Sequence, residues 1–388
     1  MIIHEFDASV FLAEYWQKKP CIVRNFIPNF VDPIDENDLA GLAQEETVDS
    51  RIVSYSEGAW QVSQGPFAAF DDLCVGKWTL LAQGVDKYID ELSMFTEKVR
   101  FIPSWRFDDV MVSFSNAGAG VGPHTDEYDV FIVQGKGTRR WQVGLPCKAE
   151  TVVPHPLLKQ ITGFDPVIDE VLQAGDAVYI PPKHPHNGVA LEDCINYSIG
   201  FRAPTNLEVL HGMLDESNDF ETNQQRYHDP DIDTLRSANS ATEHISSNEI
   251  ARLKEGLNEL LNSDQAKRAL LQYLSRQQLN RFDEQAFSAE DILAYLQDGD
   301  EFVRVPGLRA IYAEQSIEES KVFEFFIDGD AFAIDALCTQ EVQFMLSNAT
   351  IERKHLSDDT LKGESEQAKA FILLLTDLVN AGLWNFLD

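Results

Sequence analysis

Three residues of the chain have side-chain types and a spacing that could hold one metal ion. His124 and Asp126 stand two apart in the run GPHTDEYDVFIV, and His186 lies far downstream. Residues two apart on a β-strand point to the same face, so an imidazole and a carboxylate could share an ion. A histidine from a distant strand would complete a 2-His-1-carboxylate set, which leaves positions on Fe(II) open for dioxygen and a cosubstrate.

The third ligand could be either of two histidines. The segment GDAVYIPPKHPHNGV, which begins at Gly175, reads as a turn, an apolar run, two prolines and then His184 and His186. The two histidines are two residues apart, so both would point to the same face of a regular strand. Pro185 between them makes that alternation unreliable. The pattern of residues therefore leaves both open. An ordinary hydrogen-bonded strand histidine is the alternative for His124 taken alone.

A keto acid is one electron donor for an oxygen-activating iron site, and its distal carboxylate needs a buried cation. Arginine suits this task because its rigid fork can engage a carboxylate bidentately. In TRRWQVG, Arg139 shares a strand face with Trp141 and Val143, whereas Arg140 lies on the opposite face. We therefore predict that Arg139 points inward and binds the carboxylate, with a structural salt bridge as the alternative. Ser113, in MVSFS, is a candidate hydroxyl partner for the same carboxylate.

The elements that must position these side chains form a β-rich block over residues 100–203. Short apolar or alternating runs separated by turn residues recur there as DDVMVSFS, YDVFIVQG, RRWQVG, DAVYIPP and INYSIGF. This pattern predicts two sheets or a barrel. Asn196 and Ser198 share one face of the last run and could line the same pocket or equally have only a structural role. Residues 1–99 mix helix-like stretches with a few predicted strands.

The pattern becomes helical after Pro204. The polar segment 215–244 predicts a linker or loosely packed helices. Ser246 and Glu249 then form a capping-box signature, and apolar residues recur at helical spacing over 250–261. This apolar stripe could be ordinary core or a dimerisation face. The last hundred residues combine helices with a predicted hairpin that turns at Asp328-Gly329, which indicates a winged-helix-like unit.

The composition restricts the partners of the chain. Its 388 residues include 31 Lys+Arg and 64 Asp+Glu, which gives a net charge of −33. So acidic a surface disfavours nucleic acid and anionic lipid and favours a basic protein partner. An acidic protein without any charged partner is the alternative.

The cysteines and the N-terminal sequence bear on the compartment. Five cysteines are an odd number with no CxxC pair, which predicts free thiols in a reducing compartment. The opening MIIHEFDASVFLAEYW lacks the apolar core of a secretory signal, and no run of about 18 apolar residues follows. We expect a cytoplasmic protein without a membrane span.

The motifs together resemble the bacterial JmjC-type (cupin) ribosomal oxygenases, the group that includes the ribosomal protein arginine hydroxylases. The resemblance rests on GVGPHTDEYDVFIVQGKGTRRWQVG, on GDAVYIPPKHPHNGVALEDCINYSIGFRAP and on the opening YWQKKP. It implies a mixed α and β chain of three parts. These are a double-stranded β-helix over residues 1–205, a helical dimerisation region over 206–280 and a winged-helix-like C-terminal domain over 281–388.

The same resemblance implies a site and a reaction. The side chains that would bind Fe(II) are those of His124, Asp126 and His186, and those that would hold 2-oxoglutarate are Arg139 and Ser113. The substrate would be an arginyl side chain of large-subunit ribosomal protein number sixteen, and the enzyme would be a homodimer. Human relatives act on histidyl residues, so the choice of arginine rests on the closer bacterial similarity.

Two functions of other classes are also compatible with these residues. One is a small-molecule cupin oxygenase without a keto acid, in which Arg139 would not matter to activity. The other is a non-catalytic acidic assembly or binding factor, in which substitution of the metal ligands would leave partner binding intact.

Overall fold

The computed structural model describes residues 1–216, 226–228, 232, 243–313 and 322–387. They belong to two compact units. The first comprises Met1–Ala203, Leu279–Phe282 and Arg304–Gly307, and the second comprises Pro204–Gln278, Asp283–Val303 and Leu308–Asp388. The finer division at residues 205 and 280 stays a prediction, and most of the predicted linker at 215–244 lies outside the described residues.

The first unit contains three short α-helices and fourteen strands among its described residues. The helices are α1 (Ala8–Glu14), α2 (Glu36–Leu42) and α3 (Ser93–Lys98). The strands before residue 135 are β1 (Ile2–Ile3), β2 (Cys21–Val23), β3 (Ser50–Ser56), β4 (Ala59–Gln64), β5 (Lys77–Ala82), β6 (Phe107–Ser115) and β7 (Asp129–Gln134). The later strands are β8 (Arg139–Gly144), β9 (Glu150–His155), β10 (Leu158–Thr162), β11 (Pro166–Leu172), β12 (Ala177–Ile180), β13 (His186–Ala190) and β14 (Cys194–Phe201).

These strands build a double-stranded β-helix, as the resemblance implies. Nine of them form a large sheet in the order β1-β2-β12-β7-β14-β6-β5-β3-β4, and three form a smaller sheet in the order β11-β8-β13. Buried side chains of both sheets, such as Val178 and Ile132 from the large one and Val143 from the small one, share one core. The two sheets therefore pack face to face.

The other face of the large sheet is covered by the N-terminal helices. Phe11 of α1 and Phe95 of α3 share a second core with Tyr179 of β12 and Phe131 of β7. Strands β7 and β12 are thus buried on both faces, because alternate side chains enter the two cores. That explains why both read as nearly continuous apolar runs in the sequence.

The second unit combines helices with small sheets. Its helices are α4 (Asn206–Asp215), α5 (Ser247–Leu261), α6 (Asp264–Ser275), α7 (Ala289–Asp298), α8 (Thr339–Ser347), α9 (Asp358–Lys362) and α10 (Glu366–Asn380). Its strands are β15 (Glu301–Arg304), β16 (Val322–Ile327), β17 (Asp330–Asp335), β18 (Thr350–Ile351) and β19 (Trp384–Leu387). The hairpin β16–β17 turns at Asp328-Gly329 as predicted, and both residues have positive φ angles of 50° and 93°. This combination of helices with the hairpin β16–β17 agrees with the winged-helix-like unit that the sequence indicates.

Helix α5 begins as the sequence predicts but does not bury its apolar stripe. Its capping box joins Ser246 and Glu249 reciprocally. No side chain of this helix is buried, and Leu253 and Leu257 are 50% and 60% exposed. The stripe is therefore not core within the described part of the chain.

Two expectations about the chain as a whole can be compared with these elements. All five cysteines are free, as predicted. Among the described residues, we find no helix whose length and hydropathy would let it cross a membrane.

Candidate active site

His124, Asp126 and His186 lie together at one edge of the smaller sheet. One ligand atom from each side chain lies within 4.8 Å of the other two. The Nε2 atoms of His186 and His124 are 3.4 Å and 3.8 Å from Oδ2 of Asp126. The two histidines also exchange both backbone hydrogen bonds, at 3.0 Å and 2.9 Å. These backbone bonds hold the two histidines side by side, and the three side chains that the sequence singles out lie together.

The segment that carries His124 and Asp126 is not a regular strand, so that local prediction is wrong. His124 forms only an isolated bridge with His186, and β7 begins at Asp129. The turn at Gly122 and the missing N–H of Pro123 keep a ladder from starting earlier. The spacing still brings both side chains together because the backbone carbonyl of Asp126 accepts a 2.7 Å hydrogen bond from Lys183 N.

Backbone carbonyls fix the tautomer of both clustered histidines. Nδ1 of His124 lies 2.9 Å from the carbonyl oxygen of Gly122, and Nδ1 of His186 lies 3.0 Å from that of His184. A carbonyl oxygen can only accept, so each Nδ1 carries the proton and each Nε2 offers its lone pair to the cluster. Burial, followed by the nearby His124, holds the pKa of His186 well below its ordinary value. A neutral imidazole is the form that binds metal.

The donor set fits a divalent cation. Burial raises the pKa of Asp126, although the charges of His124 and Arg51 act in the opposite direction. The carboxylate is thus desolvated in the slot, and a cation bound beside it would stabilise its charged form. Two imidazole nitrogens and one carboxylate are the donors of the facial arrangement of non-haem iron sites.

His184 is outside the cluster. Its Nδ1 lies 3.0 Å from the carbonyl oxygen of Pro182, and its Nε2 is buried without a hydrogen-bond partner in the described chain. Lys183, with a φ of 64°, turns the backbone between the end of β12 and His184. The geometry therefore favours His186 over His184 as the third ligand, and that assignment remains a prediction.

A cavity of about 290 Å³, which we call the slot, opens beside the cluster. It is lined by residues of β3, β5, β6, β7 and β14 on the large-sheet side and of β8, β10 and β13 on the other. Ser113 lies opposite Asn196 in the ladder between β6 and β14, and both face the slot together with Ser198. The pocket-lining prediction for Asn196 and Ser198 is thus confirmed.

Arg139 lies at one end of the slot and is 4% exposed. Its guanidinium donates to Oδ1 of Asn196 at 2.9 Å, to the carbonyl of Gly188 at 3.2 Å and to Oγ of Ser115 at 3.3 Å. Its Nε has no hydrogen-bond partner, and no carboxylate pairs with it among the residues described. Burial lowers the pKa of Arg139. A buried cation that contacts only neutral groups is expected to be stabilised electrostatically when an anionic ligand binds to it.

The serine that contacts Arg139 is Ser115, two residues beyond the predicted Ser113. Ser115 is fully buried and also shares a 2.8 Å hydrogen bond with Thr79. Both serines lie on the same face of β6, so the alternation of side chains along the strand is compatible with either as the contact of Arg139. Ser113 lines the slot without a contact to Arg139 among those observed.

The opposite end of the slot is acidic, and the sequence reasoning missed this feature. Asp108, Asp109 and Tyr128 line it. Oδ2 of Asp109 accepts hydrogen bonds from Gln83 Nε2 at 2.6 Å and from Gly84 N at 2.8 Å. Burial, with the neighbouring charges of Asp86 and Asp108, raises the pKa of Asp109 to about 6.

The cationic and acidic ends are separated along a single strand. Ser115, which contacts Arg139, and Asp109 are six residues apart on β6, which corresponds to roughly 20 Å of extended chain. The slot is therefore an elongated pocket with an arginine at one end, a carboxylate at the other and the His-Asp-His cluster also on its wall.

Family models match both units of the chain. A JmjC domain matches residues 94–209, and a ROXA-like winged helix matches residues 249–385. The first range contains all the slot residues from Asp108 to Gly200, and the second contains the hairpin β16–β17.

Similar proteins match the chain over half to nearly all of its length. The ribosomal protein uL16 3-hydroxylase of Escherichia coli K12 is 37% identical over 380 residues, which are 97% of this chain and 96% of that protein. The probable ribosomal oxygenase of Haemophilus influenzae is 41% identical over 209 residues, or 53% of this chain and 52% of that protein. The structure of the E. coli ribosomal oxygenase YcfD with cobalt and 2-oxoglutarate superimposes with a TM-score of 0.85 at 35% identity, covering 100% of this chain and 99% of the other.

Proposed function

Because the chain belongs to the JmjC-type ribosomal oxygenases, we propose that it is an Fe(II)- and 2-oxoglutarate-dependent hydroxylase of an arginyl side chain in ribosomal protein uL16. The overall reaction would convert 2-oxoglutarate, dioxygen and one C–H bond into succinate, carbon dioxide and C–OH. The observation that carries this proposal is the slot, which has a buried arginine at one end, carboxylates at the other and the metal cluster on its wall.

His124, Asp126 and His186 would hold the metal. The Nδ1 hydrogen bonds orient both imidazoles before an ion arrives, which reduces the reorganisation that binding requires. When bound there, Fe(II) supplies the activation of dioxygen that keto-acid-dependent hydroxylation needs. The E. coli relative has been solved with cobalt, so iron is our proposal for this chain and rests on the donor set.

Arg139 would bind the distal carboxylate of 2-oxoglutarate. Asn196 and Ser115 hold the guanidinium in place, and its unpartnered Nε marks an unmet demand for an acceptor. A charge-assisted contact to a carboxylate inside a buried site would fix the cosubstrate at this end of the slot. Ser113, on the same wall, stays our proposed second contact.

The acidic end would receive the substrate side chain. Oδ1 of Asp109 accepts no hydrogen bond from the described residues, and the missing side chain of Gly200 leaves space beside this oxygen. A guanidinium is planar, always charged and able to donate several hydrogen bonds to a carboxylate. An arginyl side chain therefore suits this end better than a histidyl side chain, which is largely neutral at pH 7. The net charge of −33 would also attract a basic ribosomal protein and repel nucleic acid.

We further propose that the enzyme is a homodimer and that helix α5 forms the interface. Five apolar side chains on this helix are at least 42% exposed, namely Ile250, Leu253, Leu257, Leu260 and Leu261. So large an apolar stripe on a capped helix is typical of a surface that another chain covers. A second copy of the chain would bring an identical stripe to an isologous contact.

The proposed function is tested by following succinate formation with the purified chain, Fe(II), 2-oxoglutarate and air, with and without uL16. We expect succinate to form much faster when uL16 is present, in step with the addition of one oxygen atom to uL16. The Asp126→Ala variant should form neither product. Absence of succinate in both reactions of the unmodified enzyme would contradict the keto-acid assignment and favour a cupin oxygenase of another kind.

A further inference from the structure

The charged residues of the slot are balanced in sign, unlike those of the chain as a whole. The six that line it are Arg51, Lys159, Arg139, Asp108, Asp109 and Asp126. Three cations and three carboxylates give a formal charge of zero, whereas the chain carries −33. A dianion such as a keto acid with two carboxylates is repelled by most of this surface, so the slot is the favourable place for it to approach.

Arg51 is the exposed arginine of this group, and it makes no hydrogen bond or ion pair with the described residues, although its charge acts on Asp126 across the slot. Other arginines of the first unit form hydrogen bonds or ion pairs within the chain, as Arg24 does with Asp176 and Arg140 with Asp169. Arg51 lies on β3, opposite Leu81 of β5, which also lines the slot. An exposed guanidinium whose donors are not engaged by an ion pair with the described residues is available to an incoming anion.

Lys159 adds a second available cation to the slot. It lies on β10, is exposed and forms no ion pair with the described residues. Arg139, by contrast, is almost completely buried. The exposed pair therefore lies where the slot meets solvent, and the buried arginine lies at its inner end.

We propose that Arg51 and Lys159 form a transient dicarboxylate-binding position at the open part of the slot, through which 2-oxoglutarate enters and succinate leaves. This inference rests on the proposed use of 2-oxoglutarate. Exposed cations bind an anion weakly, because water and salt screen them, but their field raises the rate at which an anion arrives. Arg139 would bind 2-oxoglutarate tightly, whereas the outer position binds anions too weakly to retain succinate.

The alternative is that Arg51 contacts an acidic residue of the protein substrate. In that case, substitution of Arg51 would change the KM for uL16 and leave 2-oxoglutarate binding unaltered. The two possibilities are therefore separated by measuring the cosubstrate alone, without any protein substrate.

The experiment measures association of 2-oxoglutarate with the Mn(II)-loaded enzyme under anaerobic conditions by stopped-flow tryptophan fluorescence. Trp141 can report binding because its ring lies 5.2 Å from the Arg139 guanidinium. We compare Arg51→Gln and Lys159→Gln with Arg140→Gln, which removes an equal charge outside the slot. Mn(II) affinity, measured in parallel, shows whether the cluster is intact in each variant.

At low ionic strength, Arg51→Gln should slow association by about threefold to tenfold, and Lys159→Gln should slow it in the same direction. Both differences should disappear near 1 M salt, where the screening length is about 3 Å. Arg140→Gln should stay within about twofold of the unmodified enzyme.

Equal effects of Arg51→Gln and Arg140→Gln, or an Arg51→Gln effect that persists at high salt, would overturn the inference and leave the proposed function standing. An unchanged association rate with an altered KM for uL16 would do the same and assign Arg51 to the protein substrate. Failure of the unmodified enzyme to bind 2-oxoglutarate would overturn both proposals together.

Discussion

Arg139 and Arg140 are neighbours on β8, yet their guanidinium groups lie in opposite environments. Arg139 is buried in the slot, and its guanidinium donates to neutral acceptors. Arg140 is exposed and forms two 2.6 Å hydrogen bonds with the carboxylate of Asp169 on β11. Strand alternation alone separates the group proposed to bind 2-oxoglutarate from a surface ion pair.

The first prediction compares these two arginines. Arg139→Ala should raise the KM for 2-oxoglutarate by at least about tenfold, because hydrogen bonds to a charged group contribute about 1.5–3 kcal/mol. Arg140→Ala should change it less than about twofold, since exposed ion pairs contribute little. Because Arg139→Ala also removes buried contacts, Arg139→Lys serves as a second variant that keeps the charge but loses the fork. Equal losses for Arg139→Ala and Arg140→Ala in a cosubstrate titration would contradict the assignment.

The second prediction concerns the two histidines that the sequence leaves open. His186→Ala should abolish stoichiometric binding of Mn(II) or Co(II) in calorimetry, because it removes one of three ligands. His184→Ala is the matched control from the same loop and should retain metal binding, because the His184 imidazole does not join the cluster. Its expected cost lies in stability, measured as a lower melting temperature. Retention of metal by His186→Ala and loss by His184→Ala would show that the ligand assignment is wrong.

The third prediction uses the raised pKa of Asp109, which is about 6 compared with an ordinary value of 3.8. A guanidinium needs the ionised carboxylate, so the KM for uL16 should fall as the pH rises through about 6. Asp109→Asn should raise that KM at pH 7 and remove this pH dependence. An identical pH profile for the variant would exclude Asp109 from substrate binding.

A stability measurement separates this role from a structural defect. Because the folded-state pKa is raised, the protonated carboxyl favours folding, and this contribution is full below about pH 4 and lost as the pH passes 6. Asparagine resembles the neutral acid, so Asp109→Asn should be no less stable at pH 7 and could gain about 1–3 kcal/mol in unfolding free energy. Denaturant titration at pH 7 and pH 4 measures the unfolding free energy of the variant and of the unmodified enzyme. A clear loss of stability of Asp109→Asn at pH 7 would indicate a structural role for Asp109.

The fourth prediction concerns the exposed stripe of helix α5. Leu257→Asp should convert a dimer into a monomer in light scattering, because a charge at the centre of an apolar interface is costly to bury. Leu373→Asp on α10 is the control, since Leu373 is 56% exposed and Leu257 is 60% exposed. A monomeric unmodified chain, or equal behaviour of both variants, would contradict the proposed interface.

Much of the first unit follows from patterns that act over a few residues. The alternating run around Arg139 predicts its burial, because the ladders of β8 with β13 and with Ile168–Leu172 of β11 are regular there; the shift in β11 lies at the other end, between Pro166 and Ile168. The spacing at His124 predicts a strand, but the structure has none there, because a turn glycine and a proline precede it. His124 is nevertheless held beside His186 by two backbone hydrogen bonds.

Other parts of the slot depend on how strands far apart in the sequence pair with one another, and local sequence patterns do not predict that pairing. Asp109 lies far from the metal motif in sequence and faces the slot only because β6 pairs with both β5 and β14. Ser113 and Ser115 share one face of β6, and only the closure of the smaller sheet over the larger one decides which of them reaches Arg139. The alternation of side chains along a strand predicts which face a residue lies on, but it does not predict which residue of that face contacts a given partner.

The most direct test of the account is tandem mass spectrometry of uL16 after incubation with the purified chain, Fe(II), 2-oxoglutarate and air. We predict one added oxygen atom, located on an arginyl side chain, and no addition with the His124→Ala variant. A second sample of uL16 with that arginine replaced by lysine should stay unmodified. An added oxygen on a histidyl residue, or one that the His124→Ala variant also introduces, would contradict the central claim.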